Sequence, residues 1–250
     1  MRIAGHDGGS KNIGAVKDAF TELTTLKFST EQIVSIVGHG GGSKNIEAVK
    51  SAFAELTTLK FSHEQIIRIA GNNGGSKNIE AVRNAFTELT TLNFSAEQIV
   101  SIAGHGGGSK NIEAVKSAFA ELTTLNFSAE QIVNIVGHGG GYKNIGAVKD
   151  AFAELTTLKF SPEQIIRIAG NNGGSKNIEA VKSAFAELTA LKFSPEQIVR
   201  IAGNIAGSKN IYMAIDYLSK EQKHKISKEE LIKILSRNSG HRKVSALLSS

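Results

Sequence analysis

Phe61-Ser62-His63-Glu64-Gln65-Ile66-Ile67-Arg68-Ile69-Ala70-Gly71-Asn72-Asn73-Gly74-Gly75-Ser76-Lys77-Asn78-Ile79-Glu80-Ala81-Val82-Arg83-Asn84-Ala85-Phe86-Thr87-Glu88-Leu89-Thr90-Thr91-Leu92-Asn93 is the stretch on which the fold turns. With Phe61 as position 1, Ser62 reads as an N-cap and Gln65, three residues on, as its capping-box partner. Ile66, Ile67, Ile69 and Ala70 supply the apolar residues of a helix over positions 3–10, and Gly71 fits its C-terminal stop. Asn72-Asn73-Gly74-Gly75 then forms a tight loop. Ile79, Val82, Phe86 and Leu89 recur at three- and four-residue steps, so a second helix runs from position 15 to about position 31 with one buried face. The stretch therefore predicts a helix pair of about nine and sixteen residues around a glycine-rich loop.

The same pattern fills the chain. Phe28, Phe61, Phe94, Phe127, Phe160 and Phe193 stand 33 residues apart, each followed by Ser. Residues 1–27 match the last 27 positions of a repeat, 28–225 hold six repeats, and 226–250 form a degenerate C-terminal capping copy that begins Ile226-Ser227. The sixth repeat drifts after Ile211. Pro162 and Pro195 fall at the first helical position, where a missing N–H costs nothing. A fixed period of this length predicts an all-α solenoid in which neighbours bury each other's apolar faces. Interior phenylalanines such as Phe94 and Phe119 are expected to be buried at the junctions.

Composition narrows the function. With no Cys there are neither disulfides nor thiolate metal sites. No run approaches the roughly 20 apolar residues of a bilayer span. A net charge of +6 permits a polyanionic partner. Ser43-Lys44-Asn45 is not a nucleotide-binding loop, which wants Gly before the Lys and Ser or Thr after it. His39, His105 and His138 come one per repeat with no second ligand at metal spacing, so no metal site and no cofactor are expected. Nothing resembles a nucleophile–base pair. The reading is of a non-enzyme, a monomer without a small-molecule substrate or membrane contact.

The informative variation lies at positions 12 and 13. These read His6-Asp7, His39-Gly40, Asn72-Asn73, His105-Gly106, His138-Gly139, Asn171-Asn172 and Asn204-Ile205, with Arg237-Asn238 in the last copy. A structural turn would repeat one good solution, whereas position 13 alternates among residues of different charge and size. Beside this pair stands a constant Gly-Gly-Ser-Lys-Asn-Ile, as in Gly41-Gly42-Ser43-Lys44-Asn45-Ile46. Its cation recurs as Lys11, Lys44, Lys77, Lys110, Lys143, Lys176, Lys209 and Arg242. Two glycines, a helix N-terminus and a Lys make an anion site, and its repetition suits a polyanion of regular charge spacing.

These residues resemble the repeats of TAL effectors. Phe160-Ser161-Pro162-Glu163-Gln164-Ile165-Ile166-Arg167-Ile168-Ala169-Gly170 is similar to their Leu-Thr-Pro-Glu-Gln-Val-Val-Ala-Ile-Ala-Ser opening, and Gly173-Gly174-Ser175-Lys176 stands where they have Gly-Gly-Lys-Gln. Phe in place of Leu at position 1, the absence of Pro from the second helix and a Lys one position later are more like the divergent TAL-effector-like proteins of marine metagenomes. The resemblance covers essentially the whole chain. It implies a right-handed superhelical α-solenoid of 33-residue helix–loop–helix repeats on double-stranded DNA, each repeat reading one base in the major groove through position 13. It also implies that position 12 (His6, His39, Asn72, His105, His138, Asn171, Asn204, Arg237) braces the loop onto a backbone carbonyl.

The chemistry of position 13 fits that implication. Asp7 accepts only and matches the cytosine amino group; Asn73 and Asn172 donate to a purine N7, favouring guanine; Gly40, Gly106 and Gly139 leave room for the thymine methyl. Ile205 takes adenine by the resemblance, and Asn238 faces a purine. The expected site is 5′-CTGTTGA(purine). A step of about 10 Å per helix pair matches the ~3.4 Å rise of a base pair if the solenoid winds outside the duplex at a radius of roughly 16 Å. The rival reading is a protein-binding solenoid scaffold, whose variable residues would spread over a concave helical face with aromatic anchors; here they are small, polar loop residues, with Tyr142 the exception.

Overall fold

The computed structural model describes residues 9–37, 42–71, 75–104, 108–137, 141–170, 174–219 and 226–249. Among the described residues there are fifteen helices and no strand. The long helices are α1 (Gly9–Thr25), α3 (Gly42–Thr58), α5 (Gly75–Thr91), α7 (Gly108–Thr124), α9 (Gly141–Thr157), α11 (Gly174–Ala190), α13 (Gly207–Ser219) and α15 (Gly240–Ser249). The short ones are α2 (Thr30–Val37), α4 (His63–Ala70), α6 (Ala96–Ala103), α8 (Ala129–Val136), α10 (Pro162–Ala169), α12 (Pro195–Ala202) and α14 (Lys228–Leu235). The chain forms two compact units, one up to Ser117 and one from Ala118, with the division inside α7. Within each unit a long helix packs on its own short partner and on the next long helix, and short helices pack on short ones, as in α3 against α2 and α5 or α10 against α11 and α12. The protein is an all-α solenoid.

The helix bounds follow from local chemistry. In the repeat 61–93, α4 fills positions 3–10 and α5 positions 15–31, eight and seventeen residues long. The Ser62 hydroxyl accepts from the Gln65 N–H at 3.2 Å, while Gln65 Oε1 accepts from the Ser62 N–H at 2.9 Å. This reciprocal cap recurs at Ser95, Ser128, Ser161 and Ser194. Gly71 departs from the expected left-handed stop: its φ is −74°, in the right-handed region. The glycine that geometry demands is Gly75, where a Cβ would sit 2.0 Å from the Ala70 carbonyl oxygen. Only a bare Cα lets α5 start that close to the end of α4.

Left-handed backbone occurs instead at position 33, on Lys27, Lys60, Asn93, Asn126, Lys159 and Lys192, with φ between 60° and 69°. There Lys60 N–H donates to Thr57 O at 2.9 Å and Phe61 N–H to Leu56 O at 3.0 Å, the paired bonds of a Schellman stop. A side chain carrying a Cβ is disfavoured in this conformation by about 1–2 kcal/mol, less for Asn. Lys60→Gly should therefore raise stability by about 0.5–1 kcal/mol in urea unfolding, net of the chain entropy glycine adds. Asn93→Gly should gain less, and an equal or larger gain at Asn93 would refute this account.

The core is made of the predicted faces with one shift. Ile66, Ile69 and Ala70 of α4 and Ile79, Val82, Ala85 and Leu89 of α5 are buried, and Phe61 is 3% exposed. Phe86 is only half-buried, its ring edge-on to Phe61 at 5.2 Å between centroids. Phe94 is buried as expected, but Phe119, at position 26, is half-buried, and Ala118 at position 25 is the buried residue.

Polar contacts tie neighbouring repeats together. The position-23 cation pairs with the position-28 glutamate of the repeat before it: Lys50–Glu22 at 2.9 Å, Arg83–Glu55 at 2.6 Å, Lys116–Glu88 at 2.9 Å, Lys149–Glu121 at 2.7 Å and Lys182–Glu154 at 2.8 Å. Arg68 pairs with Glu97, and Arg167 with Glu196 at 3.1 Å, so the arginine at position 8 meets the first turn of the next short helix. Hydrogen bonds from Gln65 and then Arg68 hold the Glu97 carboxyl below its usual range, and those from Arg167 and then Gln164 do the same for Glu196. The contribution of these exposed pairs is small. It is present above the usual carboxylate pKa and lost as the pH falls through the lowered one. Two unusual position-3 residues reach further back. His63 Nε2 lies 2.7 Å from Leu26 O, and Lys228 Nζ donates to Leu191 O at 2.9 Å, each meeting carbonyls at the end of a long helix two repeats earlier.

Candidate nucleic-acid interface

The loops between short and long helices carry the expected contacts. His6, Asp7, His39, Gly40, Gly41, Asn72, Asn73, His105, Gly106, His138, Gly139, Asn171 and Asn172 lie outside the described residues, as does the Lys11 side chain. What is described is both flanks of each interior loop and two loops in full, Asn204-Ile205 and Arg237-Asn238.

Lys44, Lys77, Lys110, Lys143, Lys176, Lys209 and Arg242 are all exposed on the first turns of their long helices. In the second unit Lys176, Lys209 and Arg242, from three successive repeats, line one groove with Ile205, Ala206, Ser208, Asn238, Ser239 and His241. No acidic residue lines it. The groove between α9 and α11 is different: Lys143 and Lys182 share it with Asp150 and Glu179. The groove at the last two loops is thus purely cationic, whereas the position-17 Lys143 shares its groove with carboxylates.

The Asn204-Ile205 loop is tightly held. Asn204 is 9% exposed; its Nδ2 donates to Ile201 O at 2.7 Å and Leu235 O at 3.4 Å. Its Oδ1 accepts from Ala206 N–H and from Asn210 Nδ2, both at 3.1 Å. Ile205 projects from this frame with 54% of its surface exposed. In the last copy the roles differ. The Arg237 side chain lines a groove on α14 with Glu229, Glu230 and Lys233, and the loop is held by backbone bonds such as Gly240 N–H to Arg237 O at 3.0 Å. Asn238 Oδ1 accepts from the Ile205 N–H at 3.4 Å, tying one loop tip to the next.

Sequence reasoning missed the polar residue that shapes this edge. Position 18 is Asn in every copy but the last, where it is Lys243, and Asn45, Asn78, Asn111, Asn144, Asn177 and Asn210 are 0–1% exposed. The Oδ1 atoms of Asn45, Asn78, Asn144, Asn177 and Asn210 accept the position-16 N–H of the following repeat: Ser76 at 3.2 Å, Ser109 at 3.0 Å, Ser175 at 3.1 Å, Ser208 at 2.8 Å and His241 at 2.9 Å. One of the first-turn N–H groups expected to face an anion is therefore already bonded. Gly42 is buried, and its counterpart Gly207 donates its N–H to Asn204 O at 2.9 Å. At this edge the glycines serve packing and the exposed Lys side chains present the charge. His241 is kept below the usual imidazole pKa by burial and by Lys209 and Arg242.

Among the described residues no group of His, Cys, Asp and Glu is placed to hold a metal ion, and no helix is long and apolar enough to cross a membrane. No protein-family model matches the chain, and a search of curated proteins finds no match.

Proposed function

We propose that the protein binds double-stranded DNA along the loop edge of the solenoid, one base per repeat read in the major groove by position 13, with position-17 cations on the phosphates. The observation that carries this reading is the acid-free groove of the second unit, where Lys176, Lys209 and Arg242 flank the exposed Ile205 and Asn238. Regularly spaced cations on one side of exposed, chemically varied loop tips suit a ligand with a uniform charged backbone and a varied edge. A protein partner would gain little from small loop tips without an aromatic anchor.

The test is a gel shift with duplexes carrying or lacking 5′-CTGTTGA. Asn73→Gly should move the preference at the third base from guanine to thymine, with discrimination of about 1–3 kcal/mol at stake. An unchanged preference in a four-base substitution panel would sink the reading of one repeat per base.

A further inference from the structure

The last three loops are each bracketed by an amide that belongs to the repeat before it. Asn177 Oδ1 accepts from Ser208 N–H at 2.8 Å while its Nδ2 donates to Asn204 O at 2.9 Å. One planar side chain thus holds both ends of the segment that presents Ile205. Asn210 does the same for the last loop, accepting from His241 N–H at 2.9 Å and donating to Leu235 O at 2.7 Å and Arg237 O at 3.1 Å. Asn144 accepts from Ser175 N–H at 3.1 Å and donates to Ala169 O at 2.6 Å, on either side of Asn171-Asn172. In the first unit the bracket is looser. Asn45 and Asn78 hold the exit of the next loop through Ser76 and Ser109, but Asn45 Nδ2 turns to Ile36 O of its own repeat at 3.3 Å.

We propose that the position-18 asparagine is a positioning residue for the base-reading loop of the following repeat, so that base preference at one loop depends on an amide one repeat earlier. This rests on position 13 being the base contact. Burial is what gives the amide its leverage. With water excluded, both bonds are strong and neither end of the loop can swing away without leaving a buried polar group unpaired. The amide also touches its own repeat: Asn144 Nδ2 reaches Ile135 O at 3.4 Å and Asn210 Nδ2 reaches Asn204 Oδ1 at 3.1 Å. Coupling to the following loop is stronger where Nδ2 also crosses to the next repeat (Asn144, Asn177, Asn210) than where it does not.

The test is Asn144→Ala, read in two ways. In a four-base panel the guanine preference opposite Asn172 should fall by at least about fivefold, the lower end for one good base contact. The thymine preference opposite Gly139, in the same repeat as Asn144, should fall less, since the bond lost there is the long one from Asn144 Nδ2 to Ile135 O at 3.4 Å. Independently of DNA, the Ser175 amide proton should exchange faster with solvent while the Ser208 amide, held by Asn177, should not. Asn177→Ala moves the expected effects one repeat along, to Ser208 and to the base opposite Ile205. Unchanged Ser175 exchange, equal loss at both bases, or unfolding of both variants would overturn the proposal. A wild-type chain with flat base preference but amide exchange as expected would instead locate the failure in the base-reading model.

Discussion

Raising the salt from about 50 to about 200 mM should weaken binding of a matched duplex by roughly 10⁴-fold, because eight phosphate contacts at about −0.9 each give a slope of log K on log[salt] near −7. The eight are Lys11, Lys44, Lys77, Lys110, Lys143, Lys176, Lys209 and Arg242. The fold explains why the slope should not be steeper in a chain with 29 Lys and Arg residues. Position-23 cations such as Lys182 already face carboxylates, and so do Arg68 and Arg167. The position-33 lysines sit at the far end of the long helices, about 25 Å from the loops. Lys209→Ala should thus flatten the slope by about one and weaken all sequences alike, while Lys182→Ala should leave it unchanged. A slope shallower than about −3, or a sequence-selective loss in Lys209→Ala, would remove the phosphate role from this edge.

Phe61→Ala should destabilise the array by about 3–5 kcal/mol in urea unfolding. Phe61 follows the left-handed Lys60, donates its N–H to Leu56 O at 3.0 Å, and is 3% exposed with its ring against Phe86. Truncation leaves a ring-sized void where the end of one repeat meets the start of the next. Because neighbours stabilise neighbours in a solenoid, the damage should also lower cooperativity, so the dependence on urea should become shallower as the array splits at that junction. Phe86→Ala, at a half-buried site, should cost less. Phe20→Ala, where 40% of the side chain is exposed, should cost at most about 1 kcal/mol. A loss below about 1 kcal/mol for Phe61 would mean that the junction closes over the missing ring.

The helix pair was legible because its signals are local. The Ser62–Gln65 cap and the apolar spacing of Ile66 to Leu89 place both helices within a residue of their observed ends. What stayed hidden depends on a neighbouring repeat. Asn78 sits in a polar first turn and reads as surface; its burial follows from the Ser109 N–H it receives, a group 31 residues away. The Schellman stop was masked because Lys60 and Asn93 occupy the place where a glycine would have announced it. Gly71 misled in the opposite sense, since its backbone is right-handed. Glu97, which pairs with Arg68, lies 29 residues away in sequence, and the packing of α4 beside α6 brings the two together. The loop tips at positions 12 and 13 stood out by their variation, a signal that needs no fold.

The bond from position 18 ends on a backbone N–H, which every residue but proline has. Ser76, Ser208 and His241 therefore serve equally, whatever their side chains. The ion pairs between positions 23 and 28 accept either Lys or Arg. A junction built this way is indifferent to which two repeats it joins. Unequal crossing-over between near-identical copies of the coding segment would add or delete one 33-residue block and regenerate the same bonds at the seam. A lineage of such chains can lengthen, shorten or shuffle its order of loop tips by gene-level accident without any compensating substitution. The architecture makes array length and loop order heritable variables that change in whole steps.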